Sequence, residues 1–186
     1  MIPAGVFAGI DTLGRTASTI AVGLALEMAM VWRFGWSPPL AAYSCLAITG
    51  AVVSAIDLAT RRIPNPVVVP AYPITAALLA VASVQAGPWW PLARAGIVAA
   101  GLAAFYLALG LAVPAGMGLG DVKLAGVLGA YLGWLGWSPP FTGTLFAFFA
   151  AVVAVLVSHL VRRRQSSLPM APFMTLGAIA AVLATK

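Results

Sequence analysis

Asp57 and Asp121 are two of only four acidic residues in a chain of 186 that is 62% hydrophobic. Asp57 stands in AIDLATRRIPN, residues 55–65, and Asp121 follows a glycine run in GMGLGDVK, Gly116 to Lys123. An aspartate near the middle of a membrane span costs roughly 2.5–3.5 kcal/mol on insertion scales, and less near the ends. Carboxylates this rare therefore need a reason. Two carboxyl groups brought within about 5 Å repel by about 3 kcal/mol at an effective dielectric near 20, or roughly two pKa units. They then share one proton, leaving one group as base and the other as acid. Such a pair can activate water against a peptide carbonyl and protonate the leaving amine, with no metal, cofactor or covalent intermediate. Asp57 and Asp121 lie 64 positions apart, so the fold must bring them together. The helix start at Asp121 favours its ionised form, a help that Asp57 is expected to lack.

The glycines invite a phosphate reading, which their spacing excludes. A P-loop needs four residues between its glycines and then Lys-Ser/Thr, and a dinucleotide fingerprint needs GxGxxG after a strand. An aspartate at the helix start would also repel a phosphate. Gly118 and Gly120 instead supply backbone without side-chain bulk, able to turn or to let another chain come close. That suits an extended peptide beside a carboxylate, while Gly116 reads as a turn residue.

The elements that must position these groups are membrane helices. Mean hydropathy is +1.04 and only 8% of residues are charged, more apolar surface than a soluble domain of this size can hide. Seven apolar segments are expected, at 16–33, 38–57, 66–84, 91–113, 122–137, 142–160 and 169–185, separated by Gly, Pro or charge. The fifth is short and Pro169 and Pro172 break the start of the seventh, so six to seven segments cross. The fold class is all-α, a polytopic transmembrane helix bundle, with residues 1–186 forming one integral membrane domain. Pro64 and Pro66 are expected to stop the second helix and Asn65 to cap the third.

The formal net charge of +6 is not a nucleic-acid signature, because the basic residues sit in short clusters between apolar runs. With the amino terminus in the cytoplasm, Arg15, Arg61, Arg62, Lys123 and Arg162–Arg164 face inward, and Arg33, Arg94 and Lys186 face outward. The opposite orientation reverses that bias, so both aspartates are expected at the cytoplasmic face. Residues 1–14 lack the basic start of a cleavable signal. Cys45 is the single cysteine and His159 the single histidine, leaving neither a disulfide framework nor a metal cage.

The stretches DLATRRIPN, from Asp57, and GLGDVK, from Gly118, together resemble the paired signatures of type IV prepilin peptidases. These are GxGD-type intramembrane aspartic proteases, a group that also includes archaeal preflagellin peptidases. LPMAPFMTLG, residues 168–177, resembles the family's Pro-containing last helix, with Ala171 where many relatives have Gly. The likeness spans about residues 40–180. It implies a catalytic Asp57–Asp121 pair in the cell membrane that cuts a basic leader from a prepilin or pseudopilin, serving pilus assembly or secretion machinery. Longer members carry an added methylating region with cysteine pairs. The short Gly35–Pro39 loop and lone Cys45 match a peptidase-only form like those of tight-adherence pilus systems.

Plainer roles stand beside these. Asp57 could only pair with Arg61 four residues on, and Asp121 could only cap its helix. Lys123 reads as a topology charge, or as a group that tunes the pair or holds the peptide. Arg61, Arg62 and Arg162–Arg164 read as anchors at lipid headgroups. Glu27, mid-span in the first segment, reads as a protonated or hydrogen-bonded group facing the bundle, as a contact for the substrate helix, or as a proton relay. The rival function is a small proton- or cation-coupled transporter using Asp57, Asp121 and Glu27.

Overall fold

The computed structural model describes residues 13–112, 117–160 and 168–185, and among these it holds seven helices and no strand. They are α1 (Leu13–Phe34), α2 (Pro38–Thr60), α3 (Asn65–Ala86), α4 (Trp90–Ala112), α5 (Leu119–Leu135), α6 (Pro139–Leu160) and α7 (Ala171–Ala184). The expectations for Gly116 and Arg162–Arg164, and for residues 1–12, fall outside the described residues.

Each expected segment is a helix, with shifts that have local causes. Pro38 and Pro139 open α2 and α6, because a proline in the first turn forfeits no intrahelical bond. The second segment was expected to end at Asp57, yet α2 runs on to Thr60 and stops where Arg61 turns left-handed (φ 53°). Pro64 and Pro66 therefore do not stop α2; they stand at the N-cap and in the first turn of α3. Nor is Asn65 the cap of α3. It is the first helical residue, and no side chain caps that helix.

Among the described residues five helices are long and apolar enough to cross a membrane, and the chain is a multi-pass membrane protein. The two shorter ones, α5 with 17 residues and α7 with 14, are about 26 Å and 21 Å long, against roughly 30 Å of hydrocarbon. Their length is tolerable because they lie inside the bundle. Leu124–Gly129 and Tyr131–Gly133 of α5 are buried, as are Met174, Thr175, Gly177–Ile179, Ala181 and Val182 of α7.

Close helix approach rests on small residues, as expected where lipid supplies no hydrophobic drive between helices. A Cβ on Gly133 would stand 2.6 Å from the Val98 Cβ, and one on Gly129 would stand 2.9 Å from the Val98 carbonyl oxygen, so α5 lies directly on α4. A Cβ on Gly177 would meet Ala147 N of α6 at 2.7 Å. Hydrogen bonds tie α2 and α3 to α5. The Tyr43 hydroxyl donates to the Tyr131 carbonyl (2.8 Å), the Thr75 hydroxyl to the Tyr131 hydroxyl (3.0 Å), and Trp134 Nε1 to Ser83 Oγ (2.8 Å).

The far ends of α5 and α7 are closed by arginines from other helices. Arg94 of α4 donates from Nε to the Gly133 carbonyl and from Nη2 to the Trp134 carbonyl, both at 2.6 Å. Arg33 of α1 reaches the carbonyls of Val182 (3.3 Å) and Thr185 (2.6 Å). Two of the three basic residues that ran against the charge bias thus have a structural occupation. They satisfy orphan carbonyls of helices that end early.

Candidate active site

Asp57 lies in the last turn of α2 and is buried, 4% exposed. Its Oδ2 accepts the backbone N–H of Ala171, the first residue of α7, at 3.0 Å. Met170, at the N-cap of that helix, offers no side-chain cap, so Asp57 does the capping from across the bundle. The expectation that Asp57 lacks a helix start to favour its charge is therefore corrected: it has the start of α7. Sequence reasoning could not find this pairing, because nothing in residues 55–65 points to residue 171.

Asp121 occupies the third position of α5 and is half-buried. Its Oδ2 accepts the Gly118 N–H at 2.9 Å, the reciprocal half of a capping box, with Gly118 at the N-cap. Each aspartate thus has one oxygen on a backbone N–H at a helix start.

The glycines differ in what they do. Neither Gly118 nor Gly120 has a positive φ. A Cβ on Gly120 would lie 2.8 Å from the Ile63 Cβ, so this glycine lets the α2–α3 connection press against the start of α5. A Cβ on Gly118 would meet Asp121 Oδ2 at 3.6 Å and Gly120 N at 3.9 Å, both ordinary contacts, and the residue is exposed. Lys123 Nζ donates to Asn65 Oδ1 (2.9 Å), and the Tyr72 hydroxyl donates to the Lys123 carbonyl (2.8 Å). Lys123 and Asn65 accordingly join the two sequence motifs directly. Ile63 and Tyr72 complete the join and went unnoticed in the sequence, since an Ile and a Tyr in an apolar chain carry no signal.

Residues of both motifs line one open cavity of about 550 Å³ at one end of the bundle. Its walls include Asp57, Arg61, Asn65, Gly118, Gly120, Asp121 and Lys123, closed on one side by Leu168–Met170 before α7. Asp57 and Asp121 both line this one cavity, each with an oxygen engaged at a helix start. Pro64 does not line the cavity and serves only as the N-cap of α3. Glu27 is not in this cavity. It faces Ser44 of α2, whose hydroxyl donates to Oε1 at 2.5 Å, while Oε2 is buried without a partner. Ser44 precedes Asp57 by more than three helical turns, so Glu27 and the aspartates occupy different levels. Among the described residues no group of three His, Cys, Asp or Glu side chains could hold a metal.

Searches of curated proteins and of solved structures return no match to this chain. A family model does match, over residues 41–160, well over half of the length and including both aspartates but not α1 or α7: that of the type IV leader peptidase family.

Proposed function

The chain belongs to the type IV leader peptidase family, and we propose that it is an aspartic endopeptidase whose catalytic pair is Asp57 and Asp121. The observation that carries this reading is their meeting in one water-accessible cavity, each at a helix start. Two carboxylates in mutual repulsion hold one proton between them. The ionised member takes a proton from water as the oxygen attacks the scissile carbonyl carbon. The protonated member then gives its proton to the departing amine as the C–N bond breaks. The products are a new carboxyl and a new amino terminus, and the pair has returned to one shared proton.

The substrate is a prepilin-type precursor, cut at the cytoplasmic face between a basic leader and the apolar helix that follows. The positive-inside bias supports that face, more strongly now that Arg33 and Arg94 serve as helix-end donors. Gly118, exposed and without a steric need of its own, leaves room for an extended peptide beside Asp121. Arg61, Arg62 and Lys123 at the cavity disfavour a bound basic leader, so the leader points away from them.

The test is cleavage of a prepilin-type precursor by purified protein in detergent. Asp57→Asn and Asp121→Asn each lower the rate by about 10²- to 10⁴-fold, the usual contribution of a positioned acid or base. Full cleavage by either variant, or proton flux in liposomes with no cleavage by wild type, sinks the assignment.

A further inference from the structure

Between α4 and α6 the bundle is open to the side. Both helices pack on the centre, α4 on α5 and α6 on α7, but they have no substantial contact with each other. The gap is lined toward the far end by Ile97, Gly101 and Phe105 of α4 and by Phe141 and Leu145 of α6, around a cavity of about 530 Å³. Phe148 continues the wall into a second apolar cavity of about 370 Å³, between Leu109 and the Val152–Leu156 turn. That second cavity ends at Met117 and Met170, and the same two methionines line the aspartate cavity.

We propose that this cleft is the docking site for the apolar helix of the substrate, the segment that follows the cut. The proposal rests on the peptidase reading above and deepens it. Three observations fix the occupant. First, the two apolar cavities adjoin at Phe148 and the second adjoins the aspartate cavity at Met117 and Met170, so a helix lying in the cleft ends beside the cavity that holds Asp57 and Asp121. Second, its wall on α6 runs from Pro140 to Leu156, about 24 Å of helix rise, close to one passage through hydrocarbon. Third, its lining is apolar apart from the Thr144 hydroxyl and the Trp137 indole N–H. A hydrophobic helix loses no hydrogen bond on entering, whereas a polar leader would. Met117 and Met170, unbranched and adaptable, stand where the helix must give way to extended chain for the carbonyl to be attacked.

Gly101 makes the proposal testable without disturbing the fold. A Cβ there meets nothing within 4 Å, so Gly101→Leu fills the cleft and leaves the enzyme's own packing intact. Two substrates are compared: a prepilin-type precursor with its apolar helix, and a soluble peptide spanning the same cut but lacking the helix. Gly101→Leu lowers kcat/KM for the precursor by about tenfold or more, as expected when remote binding is removed, and leaves the peptide within about twofold. Leu145→Trp, at a position 69% exposed, is the second blocking variant. A photo-crosslinker at Leu145 captures the precursor, and one at Val84 on α3, 81% exposed, does not. Unchanged precursor cleavage in both variants, or cross-links from Leu145 only to lipid or to a second copy of the enzyme, overturns the docking site with the peptidase intact. Failure of wild type to cut either substrate overturns the peptidase reading itself.

Discussion

On the proposed mechanism Asp57 carries two duties at once, proton transfer and the capping of α7, and its substitutions should separate them. Asparagine keeps an oxygen for the Ala171 N–H and loses only the proton chemistry, so Asp57→Asn melts in detergent near wild type while inactive. Alanine also uncaps α7, and Asp57→Ala is expected to lose about 1 kcal/mol more, read as a lower Tm. Gly120 is the complementary case. Gly120→Ala sets a methyl 2.8 Å from the Ile63 Cβ, pushing the two motifs apart, and is expected to cost about tenfold in cleavage. Ile63→Ala cannot move its Cβ, but it frees the side chain beyond and lets the connection shift, so the double variant recovers part of the rate. The aspartates and the glycine run stood out in the sequence because charge and small residues are rare signals in an apolar chain. Their support did not. Ala171 acts through its backbone and Ile63 through its bulk, and neither property distinguishes them from dozens of similar residues.

Helices were legible because lipid demands long apolar runs, and Pro or Gly with charge marks the breaks. The seven expected segments agree with α1–α7 to within about three residues at every end. What escaped was which helices lie at the centre. Burial cannot be read from hydropathy when the solvent is as apolar as the core, and small residues mark contact faces without naming the partner. The arginines show the same limit: Arg33 and Arg94 read as exceptions to a charge rule, and their targets are carbonyls on other helices. Arg94→Met should leave the Gly133 and Trp134 carbonyls without that donor and destabilise by about 1–3 kcal/mol. Its effect on α5 is felt at the far end from Asp121, so the Tm falls while cleavage by the folded fraction persists.

At the scale of the whole molecule, the aspartate cavity and the two arginine contacts lie at opposite ends of the bundle, and this polarity makes orientation measurable. Leu119, 68% exposed beside Asp121, is a suitable reporter. In a Cys45→Ser background, Leu119→Cys should react with a membrane-impermeant thiol reagent in inverted vesicles and stay unlabelled in intact cells. The reverse pattern would put the cavity outside and end the cytoplasmic assignment. The transporter rival fares poorly at this scale for a geometric reason. Glu27 pairs with Ser44, more than three turns along α2 from Asp57, so the three acids do not form one site.

α7 is held at its beginning by Asp57 of α2 and at its end by Arg33 of α1, residues made long before it during translation. Until that last described helix inserts, an acid and a guanidinium wait in the nascent protein without the backbone groups they are built to meet. On the proposed mechanism the Asp57–Asp121 centre is therefore complete only when α7 slots between its two custodians, and a half-made chain has no assembled centre with which to cut its neighbours.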